Sequence, residues 1–203
     1  MPITRRNMIM GLIALPGLEG LPDTLESLRN SESGKAAKLI NAARRQKGVT
    51  TLYDPAYVHL DYPGGDVPED RGVCIDVVIR AYRMAFDFDF QSAVHADMTA
   101  NFARYPTIWG LTRPDRNIDH RRVPNLETWL EREGHALTSE DWQIGDLITC
   151  RLPGNLPHIA IIARPAPSRS LMTHVIQNIG RGTREEPLLL TGLRNVRHFR
   201  FLP

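Results

Sequence analysis

Cysteine, lysine and long apolar runs are all scarce in this chain, and each shortage removes a class of protein. Only two cysteines occur among 203 residues, Cys74 and Cys150. Two thiols exclude a disulfide scaffold and a four-cysteine zinc site, leaving room for one bridge at most. Lys35, Lys38 and Lys47 are three of the 25 basic residues, and the other 22 are arginines. The formal net charge is only +2, too weak a field to argue for nucleic acid. No apolar stretch approaches the roughly 20 residues that a bilayer-spanning helix needs, so no stable membrane insertion is expected. No His-x-x-x-His or comparable ligand spacing appears, so no metal or other cofactor is expected.

What is present is ordinary globular composition, 42% hydrophobic and 24% charged, in a chain long enough for one well-buried domain. The preference for arginine has two readings. Its planar fork pairs with carboxylates in a bidentate way, which suits an anionic substrate, whereas most arginines are simply solvated surface.

At the N-terminus Thr4-Arg5-Arg6-Asn7 leads into the short apolar run Met8 to Leu15. Paired arginines ahead of such a run read as a twin-arginine export signal over residues 1–22, which places the protein in the periplasm or otherwise outside the cytoplasm. The competing reading is an ordinary N-terminal helix or a misplaced start. Residues 23–203 then form the domain.

Helical spacing is expected over Ser33 to Lys47, from about Gly72 to Phe86, and over Gln91 to Tyr105, with a short helix from Leu126 to Glu133 capped by Asn125. Thr50 to Leu60 reads as extended, and Asp61 to Pro68 is dense in turn formers. Pro106 to Pro124 is a long irregular stretch. Strands follow at Leu147 to Leu152, His158 to Ala163, Met172 to Ile179 and Val196 to Leu202. Helices first and antiparallel strands afterwards make an α+β domain.

Within that frame Cys74 stands out. Val77, Val78, Ala81 and Ala85 lie on its helix stripe, so the thiol sits in the first turn. There the unpaired N–H groups and the dipole favour a thiolate and can hold an oxyanion. His158 opens a strand after a Pro-bounded loop, and Gln177 on the next strand has an amide oxygen to orient the imidazole. Cysteine, histidine, then an amide is the chain order of the papain-type triad. His174 falls on the opposite strand face by alternation and ranks below Gln177. A cysteine on an apolar helix face is also an ordinary core residue. Cys150, inside a strand, is expected to pack, and bridging it to Cys74 would remove the thiolate.

The segments Asp61-Tyr-Pro-Gly-Gly-Asp-Val-Pro68, Arg71-Gly-Val-Cys-Ile-Asp76 and Asn117-Ile-Asp-His-Arg-Arg-Val-Pro-Asn125 resemble a bacterial family of unknown function. Trp142-Gln-Ile-Gly-Asp-Leu-Ile148, Pro157-His-Ile-Ala-Ile-Ile162 and Val175-Ile-Gln-Asn-Ile-Gly180 extend the likeness from about Ala36 to the C-terminus. That family in turn resembles the NlpC-like, papain-fold cysteine peptidases and amidases. The resemblance implies N-terminal helices packed on a C-terminal antiparallel sheet, with Cys74 as nucleophile, His158 as base and Gln177 as third member. Val73 and Ile75-Asp76 flank the cysteine where the superfamily usually has an acidic residue and Ser-Gly. Gln177 stands where the family tends to place histidine.

Asp76 is a candidate to bind a substrate amine or to pair with an arginine. Asp119, His120 and Arg121 lie on the long loop and, with Arg113, either hold the carboxylates of a stem peptide or staple the loop to the domain. Tyr62, before the Gly-Gly turn, is a candidate cleft wall. The leading expectation is therefore an exported thiol amidase or peptidase acting on peptidoglycan stem peptides or another small amide. A non-catalytic module that grips envelope carbohydrate or peptide in a papain-like cleft is the alternative. A metal-dependent hydrolase built on Asp119, His120 and His158 is the third.

Overall fold

Residues 21–165 and 172–203 are described in the computed structural model of this chain. The helices are α1 (Leu21–Arg45), α2 (Cys74–Phe86), α3 (Phe90–Asn101) and α4 (Val123–Arg132). Two short strands, β1 (Leu52–Tyr53) and β2 (Arg71–Gly72), pair in parallel between α1 and α2. The remaining strands are β3 (Ala136–Leu137), β4 (Leu147–Leu152), β5 (Leu156–Arg164), β6 (Met172–Asn178), β7 (Thr183–Leu189) and β8 (Arg194–Phe199). They form one antiparallel sheet in the order β3-β8-β4-β5-β6-β7. This is an α+β architecture. Among the described residues no helix is long and apolar enough to cross a membrane.

The core is divided by the sheet. On one face Ile159, Ile161 and Ala163 of β5, with Leu147 and Ile176, pack against Val77, Val78 and Ala81 of α2. On the other, Ala160 and Ile162 meet Ile148, Val175 and Leu188 in a smaller cluster. Burial on both faces is why β5 reads as a continuous apolar run rather than an alternating one. α2 is also covered on nearly all sides, with every residue from Cys74 to Tyr82 buried. Asp76 and Arg80 are the charged exceptions, and the Arg80 guanidinium bonds Asp66, Thr50 and the carbonyls of Val67 and Arg71. It therefore fixes the turn-rich loop that ends in β2. Past the C-terminal end of α2 an aromatic cluster forms from Tyr82, Phe88, Phe90, Trp129 and Phe201. The Tyr82 ring stacks on Phe201 at 5.6 Å and its hydroxyl donates to the Phe201 carbonyl at 2.8 Å.

Several elements depart from the sequence reading, and four of the differences have a clear local reason. α1 begins twelve residues before Ser33, because Glu26 to Gly34 is exposed and carries no buried stripe to signal it. Of the extended stretch Thr50 to Leu60, only Leu52 and Tyr53 pair as strand. α4 starts at Val123 rather than after Asn125, since Pro124 suits the first helical turn; Asn125 lies inside that turn and donates to the Asp119 carbonyl. β7 escaped the sequence reading altogether. Its Arg184-Glu-Glu-Pro187 looks unlike a strand, but it occupies a sheet edge, where charge and proline are tolerated. The export signal falls on residues outside those described, apart from Leu21 and Pro22, which open α1.

Tyr82→Phe would leave a buried carbonyl without its donor. The expected cost is about 1–2 kcal/mol, read as a lower urea midpoint at unchanged slope.

Candidate active site

Backbone geometry at Gly72 and Val73 delivers Cys74 to the first position of α2. Val73 has no side chain able to cap the helix, and Asp76 supplies the cap by folding back: its Oδ2 accepts the Val73 N–H at 2.7 Å. That fold-back crosses Gly72, whose φ is +153°. A Cβ there would sit 2.9 Å from Asp76 Oδ2, so only glycine fits.

Cys74 is 4% exposed. Burial pushes its thiol up to about 12, and the Asp76 charge adds to this. The N–H groups of Ile159, Ile75 and Cys74 itself pull the other way without prevailing. The expected helix-start donors are therefore present, but desolvation outweighs them and the resting sulfur is a thiol. Tyr53 of β1 stands beside it: burial, then the charges of Cys74 and Asp76, push its phenol up to about 12.

His158 lies near the start of β5, 3% exposed, with Nε2 at 2.7 Å from Oε1 of Gln177. An amide oxygen can only accept, so Nε2 carries the proton. Nδ1 has no hydrogen-bond partner among the described residues, yet it is not one of the fully buried orphan atoms. Burial lowers the pKa of His158, partly offset by Gln177 and the charge of Glu186, which leaves a neutral ring at neutral pH, free to take a proton. Beyond it, Gln177 Nε2 donates to Glu186 Oε1 at 3.0 Å, and Arg181 donates to Glu186 Oε2 at 3.2 Å.

The two halves meet at one peptide. The Cys74 thiol lies against the N–H of Ile159, the residue after His158, and reaches β5 from the helix side. Strand alternation places the imidazole with Ala160 on the other face, directly across from Cys150 of β4. Among the described residues no hydrogen bond joins the Cys74 sulfur to the ring. Both cysteines are free, and burial also pushes Cys150 up, to about 11. Asn178, adjacent to Gln177, points to the helix side and donates to the Gly72 carbonyl at 2.9 Å. Successive residues of β6 thus hold the imidazole on one face and the entry to Cys74 on the other.

The remaining candidates lie elsewhere. Asp76 and Arg121 are engaged with each other, at 2.8 and 2.9 Å, with side chains 2% and 3% exposed. Asp119 accepts the N–H of Asp115 and pairs with Arg122; His120 is 2% exposed. Of the two readings of that loop, the stapling one describes these contacts. Tyr62 packs on His95 of α3 with Arg116 over its ring, next to Gly64 and Gly65, which bond Asp89 and Gln91. That is the end of α2 away from Cys74. Among the described residues no group of three His, Cys, Asp or Glu side chains is disposed to hold a metal.

Sequence reasoning missed three neighbours of the site. Glu186 was hidden with its strand. Asn178 was quoted within a motif but given no role, although strand alternation would have set it opposite Gln177. Tyr53 carried no local signal, because parallel pairing of two-residue strands leaves none.

A family model described as a domain of unknown function, DUF1287, matches residues 40–201. Over 167 residues, 80% of each chain, the protein is 50% identical to a relative from Escherichia coli (strain K12) named Uncharacterized protein YijF. The chain belongs to the DUF1287 family.

Removing either partner of the Asp76–Arg121 pair strands a buried charge. Asp76→Ala and Arg121→Ala are each expected to cost about 3–5 kcal/mol, and the double variant less than their sum, in urea unfolding. Acid adds a separate loss. Burial, then the charge of Arg83, pushes His120 down to about 4 from 6.5, so between these values the unfolded chain binds the extra proton and stability falls with pH. The loss from this residue is on the order of 3 kcal/mol by pH 4. Urea midpoints from pH 7 to pH 4 should show a shallower fall in His120→Phe.

Proposed function

We propose that this DUF1287 member is an exported cysteine hydrolase of papain-like, NlpC-type fold that cleaves amide bonds in peptidoglycan stem peptides. One observation carries the reading: the Cys74 thiol at a helix start abuts the His158–Ile159 peptide from one face of β5, while on the other face Gln177 holds Nε2 of His158. Because burial keeps both groups neutral, the mechanism is general-base attack rather than use of a stored ion pair. As Sγ of Cys74 bonds to the amide carbon, its proton passes around the His158–Ile159 peptide to Nδ1 of His158, relayed by solvent water because the ring sits on the other face of β5. The N–H groups of Cys74 and Ile159, which donate to the resting sulfur, are the nearest donors for the developing oxyanion. His158 then returns the proton to the amine nitrogen, the C–N bond breaks, and a thioester remains. Water attacks that thioester with His158 again as base, releasing the acid and restoring the thiol.

The substrate class follows from the superfamily resemblance and the arginine-paired leader. With Asp76, Asp119 and Arg121 committed to internal bonds and His120 buried, substrate contact falls to groups exposed around β1, such as Tyr53.

A second reading, a non-catalytic envelope-binding module, is favoured by the thiol being held near 12. The two separate on purified sacculi and muropeptides. Wild type and Cys150→Ala should release products, whereas Cys74→Ala and His158→Ala should lose about three orders of magnitude or more. Equal release by all four proteins removes the hydrolase reading. Loss confined to Cys150→Ala moves the nucleophile to β4.

A further inference from the structure

Glu186 is cross-strand to Val175, which sets its side chain diagonal to Gln177 on the same sheet face. Its carboxylate can only accept, so Gln177 must turn its NH2 group toward Glu186. The amide then has one end left for His158, and that end is the oxygen. Without Glu186 the amide could rotate and offer its NH2 group to Nε2 instead. The imidazole would have to put its proton on Nδ1, and the unpartnered lone pair there would be gone.

We propose that Glu186 is a positioning residue: by fixing the direction of the Gln177 amide it holds His158 as the Nε2–H tautomer with Nδ1 available as a base. Arg181, on the second oxygen of Glu186, keeps that carboxylate aimed. The inference rests on the reading of His158 as the base, but the tautomer itself can be measured without any turnover.

The experiment is nitrogen-15 NMR of histidine-labelled protein at neutral pH in a Cys74→Ala background, with His158→Gln identifying the signals. The parent should show a protonated Nε2 and an unprotonated Nδ1. Glu186→Ala should move the ring toward the Nδ1–H form, and Glu186→Gln, whose amide oxygen can still accept from Gln177, should restore the parent pattern. With Cys74 present, Glu186→Ala should also lower kcat by about 10- to 100-fold with KM little changed, the range found when a group orienting a site histidine is removed. An unchanged tautomer in Glu186→Ala, or an Nδ1–H ring in the parent, overturns the proposal. An inactive wild type with the expected tautomers overturns the hydrolase reading and leaves the role of Glu186 standing.

Discussion

The carboxylate of Asp76 is the constraint on which the rest of this structure depends. One side chain caps the start of α2 through Val73, closes over Gly72, and takes both arms of the Arg121 fork in a site that excludes water. Two buried opposite charges are costly to desolvate, and the pair persists because its geometry is bidentate and the guanidinium has a further acceptor in the Ala56 carbonyl. The consequence is positional. The long loop before α4, the strand β2 and the first turn of α2 become one rigid unit, and Cys74 is carried at its edge.

That unit is registered to the sheet by β6. Gln177 and Asn178 are neighbours in sequence, and the pleat sends them to opposite faces. Gln177 bonds His158, and Asn178 bonds the carbonyl of Gly72. A two-residue segment therefore couples the His158 imidazole to the backbone that precedes Cys74. A register slip of one residue would exchange these roles and break both bonds.

The electrostatics of the site are set by burial more than by charge. Helix-start donors surround Cys74, yet desolvation prevails and the thiol is pushed up to about 12. The same effect lowers His158. Both groups are therefore neutral at neutral pH.

The sequence by itself determined the α+β class, the position of Cys74 in the first turn of α2, and the placing of Gln177 and His174 on opposite faces of one strand. Each of these is a periodicity statement, of 3.6 for the helix and 2 for the strand, and periodicity is local. It could not decide whether Asp119, His120 and Arg121 would face a cleft or the interior, because loop residues have no period and their partners are distant. Arg121 finds Asp76 45 positions away. Nor could it find β7, since an edge strand needs no apolar alternation, and with β7 it lost Glu186. Whether burial or the helix start would govern the Cys74 sulfur was likewise left to tertiary structure, because desolvation depends on what the rest of the chain packs around a group.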